Sequence, residues 1–119
     1  MNGEILIVDD EPDICWAIEH ILDTRGLRYR HSLTACGAIE LMKQTRFRLA
    51  FLDITLPDMQ GLELARTLKA IDPAIDIFIV TGYMPPDDAS SSGAKKLFRA
   101  CIFKPFMNKD VLDAVDASP

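Results

Sequence analysis

Residues 4–12 read EILIVDDEP, an apolar, largely β-branched run that stops abruptly at three consecutive acids and a proline. A strand buried on both faces is a continuous apolar stretch of this length, ending where the chain emerges at a sheet edge. Asp9, Asp10 and Glu11 therefore mark the end of a first strand. Pro12 then opens a helix, because proline lacks an amide that the first helical turn leaves unpaired anyway. Ile14, Ala17, Ile18, Ile21 and Leu22 recur at i, i+3, i+4, i+7 and i+8, which is one apolar face, and Gly26 supplies the stop.

The alternation continues outward from there. Leu27, Tyr29 and His31 alternate with charged residues as in a half-exposed strand, and a second helix is expected over 35–45. Ala38, Leu41 and Met42 would point inward, with Ser32 or Thr34 near the cap. The apolar run 49–52 ends in Asp53. Pro57 and Gly61 punctuate the loop after it, Leu64, Ala65, Leu68 and Ile71 give a third helical face, and Pro73 closes it. Residues 75–80 are strand-like and end in Thr81-Gly82; a polar stretch, 85–96, should hold a fourth helix. A short strand over 100–103, Lys104-Pro105 and a final helix over about 107–115 complete the chain. Five strand–helix alternations argue for a doubly wound five-stranded parallel sheet with right-handed crossovers and five helices.

Composition sets limits on function. The 119 residues, 49% hydrophobic, fit one domain over 1–119 with a real core. The formal charge of −5 argues against direct nucleic acid binding, which needs clustered Lys and Arg. Arg25, Arg28, Arg30, Arg46 and Arg48 are interrupted by apolar residues and read as solvated faces. Cys15, Cys36 and Cys101 lack the spacing of a disulfide framework or zinc site and are expected to be buried thiols of a reducing compartment. No apolar run spans a membrane and no leader pattern opens the chain, so a cytoplasmic protein is expected.

In a parallel sheet the C-terminal strand ends share one edge. Asp9 and Asp10 follow the first strand, Asp53 the third, Thr81 the fourth and Lys104 the fifth. With strand order 2-1-3-4-5 these ends are neighbours, and the switch point between the first and third strands is where ligands bind. Two carboxylates about 4 Å apart repel by roughly 4 kcal/mol at an effective dielectric near 20, so three of them call for a cation. Mg²⁺, which takes oxygen ligands and retains several waters, suits such an edge. Lys104 supplies a second positive charge.

LIVDDEPDI (6–14), FLDITLPDMQGLEL (51–64), IVTGY (79–83) and FKPF (103–106) together resemble the receiver domains of bacterial two-component response regulators, in this order and spacing. The resemblance covers essentially the whole chain and implies the flavodoxin-like receiver fold. It implies that Asp53 accepts a phosphoryl group from the phosphohistidine of a sensor histidine kinase or phosphotransfer protein. Asp10 and Asp53 would ligate Mg²⁺ directly, Asp9 directly or through water, and Thr55 through its backbone carbonyl. Lys104 and the Thr81 hydroxyl would contact phosphoryl oxygens, and Lys104-Pro105 would be cis. Such a protein is no enzyme toward other substrates: it catalyses only its own phosphotransfer and autodephosphorylation. An output domain or partner protein and a second copy of the chain are the further partners implied, and the length suits both a stand-alone receiver and an N-terminal fragment.

Three features depart from the family pattern. Cys101 stands three residues before the lysine, where receivers carry the Tyr or Phe that rotates on activation; Phe98 or Phe103 are the substitutes on offer. Pro85-Pro86 and Ser90-Ser91-Ser92-Gly93 are poor helix formers, so a short or displaced fourth helix is expected. Tyr83 and Thr55, each two residues past a site residue, occupy positions that tune acyl phosphate lifetime, and the ring implies slow self-dephosphorylation. Trp16, off the main apolar stripe, and the histidines His20 and His31 are read as structural.

Rival readings fit less well. A haloacid dehalogenase-type phosphatase needs a second Asp where Thr55 stands and a cap region. An FMN carrier needs a Ser/Thr/Gly-rich loop where Asp9-Asp10-Glu11 would repel phosphate. The remaining alternative is a degenerate receiver acting only as a protein-docking module.

Overall fold

The computed structural model describes residues 4–82 and 97–117. The elements run β1 (Glu4–Val8), α1 (Pro12–Asp23), β2 (Tyr29–Ser32), α2 (Ala35–Gln44), β3 (Phe47–Asp53), α3 (Gly61–Ile71), β4 (Asp76–Thr81), β5 (Ala100–Phe103) and α4 (Asn108–Ala117). All five strands are parallel, in the order β2-β1-β3-β4-β5, as the pattern predicts. Four helices lie among the described residues; the helix expected within 85–96, and Tyr83, lie outside them.

Side chains alternate across the sheet, except at the start of β3, where the register against β1 shifts between Phe47 and Leu49 and these two pack in opposite layers. Leu6, Val8, Ala50, Leu52, Ile77 and Ile79 face one way and pack with α2 and α3. Ile5, Ile7, Leu49, Phe51, Phe78, Val80 and Ile102 face the other way and pack with α1 and α4. This period-2 division is why the three central strands read as unbroken apolar runs: both faces are covered. Burying a side chain such as Leu52 or Phe51 contributes about 1.5–3 kcal/mol, so each layer is held by many such increments.

Local signals act as the residues dictate. Pro12 sits in the first turn of α1, and Gly26 adopts φ +65°, a left-handed conformation natural to glycine, just past its end. Thr34, not Ser32, caps α2, its hydroxyl accepting from the Gly37 amide at 3.1 Å. The Ser32 hydroxyl instead donates to the Thr34 carbonyl at 2.8 Å.

Several expectations need correcting. Ile71, expected inward, is 43% exposed: it is the last residue of α3, and the buried stripe ends one turn earlier at Leu68. Leu41 is only partly covered, and α2 stops at Gln44. Of the three thiols only Cys15 is buried; Cys101 is half-buried and Cys36 is exposed on the first turn of α2. The alternation in β2 fails at His31, which lies exposed on this edge strand with Nδ1 2.6 Å from Glu19. Trp16, 65% exposed, stacks on His20 with ring centroids 5.3 Å apart. Arg25 makes a bidentate pair with Asp116 at 2.8 and 3.3 Å, and Arg30 pairs with Glu4, consistent with solvated faces, whereas Arg48, expected to be solvated, is half-buried with its Nε enclosed. No helix among the described residues is long and apolar enough to cross a membrane.

Candidate functional site

The topology brings four strand ends to one edge. β1 runs out at Val8, and the next residue, Asp9, is carried inward, its amide donating to the Ser32 carbonyl at 3.2 Å. Asp53 is the last residue of β3, paired in register with Val80. β4 ends at Thr81, paired with Phe103, and the Lys104 amide donates to the Thr81 carbonyl at 2.8 Å. Hydrogen bonding along the sheet thus delivers Lys104 beside the third and fourth strand ends. The Lys104-Pro105 peptide is cis, as expected.

Carboxylate oxygens of Asp9, Asp10 and Asp53 all lie within 4.8 Å of one another. Asp9 is 2% and Asp53 8% exposed, while Asp10 faces solvent, so the cluster has a buried floor and an open side. Lys104 Nζ stands 3.0 Å from Asp9 Oδ2, 3.6 Å from Glu11 Oε1 and 3.9 Å from Asp53 Oδ2. Asp9 Oδ1 accepts from the Glu11 amide at 2.9 Å, and Asp53 Oδ1 from the Thr55 amide at 3.4 Å. Among the described groups, buried Asp9 Oδ2 has the Lys104 ammonium as its ion-pair partner.

The electrostatics follow from this shortage of positive charge. Burial, reinforced by the Asp9 charge, pushes the Asp53 carboxyl up to about 6 against the attraction of Lys104. Asp9 is also raised: burial outweighs the Glu11 amide and Lys104. For Lys104, burial acts to lower the ammonium pKa but is overcome by Asp9, Asp53 and Glu11, so the net direction is upward. Every one of these groups prefers the state with one more proton, as a site with too few cations should. Hard oxygen donors converging on one edge, with three carboxylates facing a single nearby ammonium among the described residues, fit a divalent metal ion, and the acidic cluster can hold one.

Of the residues singled out from the sequence, Asp9, Asp10, Asp53 and Lys104 are brought together, and Thr81, fully buried, ends the neighbouring strand. Thr55 sits just past Asp53 in the loop before α3, exposed and bridged to Gln60. Cys101 occupies the margin of the α2/α3 core together with Phe98, whereas Phe103 is 45% exposed. Glu11, not counted among the site residues, reaches Lys104; its place next to Asp10 was the available signal. The Cys15 thiol, donating to the Asp9 carbonyl at 3.5 Å, also lies beneath the site, and burial pushes it up to about 12.

Comparison with known proteins agrees with this geometry. Residues 5–116 match the response regulator receiver domain family. The response regulator receiver protein CpdR of Brucella abortus is 30% identical, over 94% of this chain and 92% of that one. Sporulation initiation phosphotransferase F of Bacillus subtilis is 32% identical, over 97% and 92%. The crystal structure of a CheY-like response regulator receiver domain protein from Methanospirillum hungatei superposes with a TM-score of 0.89 at 31% identity, covering 98% of this chain and 93% of that one. A match over nearly the whole chain, on a fold that gathers these strand-end residues at one edge, means that the chain belongs to the response regulator receiver domain family.

Proposed function

We propose that this chain is a phosphorylation-switched receiver in which Asp53 takes a phosphoryl group from the phosphohistidine of a sensor histidine kinase or phosphotransfer protein. The observation that carries this reading is the placement of Asp53: a mostly buried carboxylate, 3.9 Å from an ammonium and within 4.8 Å of two further carboxylates. An Asp53 oxygen attacks phosphorus, the P–N bond breaks, and the imidazole leaves with the bonding pair. Asp9, Asp10, Asp53 and the Thr55 backbone carbonyl would hold Mg²⁺, which when bound supplies charge neutralisation on the phosphoryl oxygens. Lys104 swings from Asp9 to pair with one phosphoryl oxygen, and the Thr81 hydroxyl donates to another. Those contacts draw the ends of β4 and β5 toward Asp53 and shift the segments that follow them, which is the signal a partner or output domain reads. Water later cleaves the acyl phosphate and restores Asp53, so the chain turns over only itself. The setting is the cytoplasm.

Cys101 in place of a switch aromatic favours a second reading, a receiver that docks without being phosphorylated. Mass spectrometry after acetyl phosphate and Mg²⁺ distinguishes the two. A phosphoryl adduct on the peptide carrying Asp53, absent from Asp53→Asn, supports phosphotransfer. No adduct, or one mapping elsewhere, selects docking and strips Asp53 of its role as phosphoacceptor.

A further inference from the structure

Asp58 lies five residues beyond the phosphoacceptor position and belongs to none of the site residues, yet its side chain bridges the loop after β3 to the start of α2. Its Oδ1 accepts from the Ala35 amide and its Oδ2 from the Cys36 amide, both at 2.9 Å. These are the first two amides of α2, which lack partners within the helix. The carboxyl is accordingly held below its ordinary range by the Ala35 and Cys36 amides.

The other end of the same loop is cinched tightly. The Gly61 amide donates to the Ile54 carbonyl at 2.7 Å, the Leu56 amide donates to the Met59 carbonyl at 3.2 Å, and Thr55 bridges Gln60. Ile54 and Leu56 are buried in the core shared with α2 and α3. The loop is thus closed at its base and tethered at its tip, and Thr55 lies between the two restraints.

Resting on the reading that Asp53 and its neighbours hold Mg²⁺, we propose that Asp58 is a positioning residue: by clamping the start of α2 it holds the Thr55 segment ready for the metal and thereby sets cation affinity. The clamp also couples the phosphoryl edge to α2, an element that contributes no group to the site itself. Without it the loop keeps its own backbone bonds and buried apolar residues but loses its tie to α2, and part of the binding free energy goes into ordering Thr55.

Calorimetric Mg²⁺ titration of the intact chain tests this with Asp58→Ala, Asp58→Asn and Thr34→Ala, alongside urea unfolding of each. Thr34→Ala is the control, because it removes a different cap from the same helix, the Gly37 bond, and leaves the loop untouched. The expectation is a Kd about 10-fold weaker for Asp58→Ala, in the range seen for groups that orient metal ligands. Asp58→Asn keeps one acceptor oxygen and sets an NH2 group against the second amide, so it should recover only part of that loss, and Thr34→Ala should bind as wild type. An Asp58→Ala Kd within twofold of wild type, or an equal weakening in Thr34→Ala, overturns the proposal and leaves Asp58 a plain helix cap. A wild-type chain that binds no Mg²⁺ sinks the underlying metal reading as well, whereas normal wild-type binding with an indifferent Asp58→Ala sinks only this inference.

Discussion

Replacing Asp53 by asparagine should stabilise the metal-free protein, because the native carboxylate is held where its charge is disfavoured. Burial and Asp9 raise its ionisation from an ordinary 3.8 to about 6. The linkage sign follows directly. A raised carboxyl favours the folded state fully below pH 3.8, where it is protonated folded or unfolded, and that favour is lost as pH climbs through about 6. The gap corresponds to about 3 kcal/mol at neutral pH, taking about 1.4 kcal/mol per pH unit. Asp10 leaves the crevice open to water on one side, so about 1–2 kcal/mol is the realistic gain after screening. Asparagine keeps the shape and carries no charge, as if Asp53 were always protonated. Urea unfolding in EDTA should therefore show Asp53→Asn matching wild type near pH 4 and exceeding it by about 1 M in midpoint above pH 7, given slopes of about 1–2 kcal/mol per molar. Saturating Mg²⁺ should close the gap by stabilising wild type more than the variant. Equal midpoints in EDTA at both pH values would refute the claim that the edge is short of positive charge.

Lys104→Met takes the one described ammonium away from Asp9 and should lower metal-free stability by about 1–3 kcal/mol at neutral pH, less near pH 5 where the carboxyls gain protons. The same variant should bind Mg²⁺ about 3- to 10-fold more tightly by calorimetry, since a competing cation is gone, yet accept phosphate from acetyl phosphate more slowly. At Gly61 a Cβ would collide with the Asp53 carbonyl oxygen and lie 2.8 Å from Ile54 Cα, both backbone atoms. Gly61→Ala should thus cost about 1–3 kcal/mol in thermal or urea unfolding and slow labelling of Asp53; an unchanged variant would show that this loop gives way easily. Thiol titration of the native protein should find Cys36 reactive at once and Cys15 at least about 10³-fold slower, at the pace of unfolding.

What the sequence disclosed, and what it hid, divides along physical lines. Asp9, Asp10, Asp53, Thr81 and Lys104 were legible because each terminates an apolar run, and parallel strands leave their C-terminal ends on one edge. The strand order itself needed only the alternation of elements and the family resemblance. Ile71 was misjudged because helical periodicity says which stripe faces inward but not where along the helix its burial ends. Cys36 was misjudged because thiols are usually buried, while its place in the first turn of α2 puts it outward. The Asp58 clamp joins residues 22 and 23 positions apart, and nothing local in LPDMQG announces which helix an aspartate will cap. Cys101 is a difference the sequence revealed, but its half-buried place against the core beneath α2 and α3 emerges only in three dimensions.

The division of side chains along β3 from Leu49 onward has a further consequence. Ala50 and Leu52 brace the layer beneath α2 and α3, while Leu49 and Phe51 brace the one beneath α1 and α4, and Asp53 ends the strand that carries both rows. Under the proposed function, a phosphoryl group on Asp53 would act on a strand packed into two blocks on opposite faces of a hydrogen-bonded wall, so that opposite sides of the molecule would be available to different listeners.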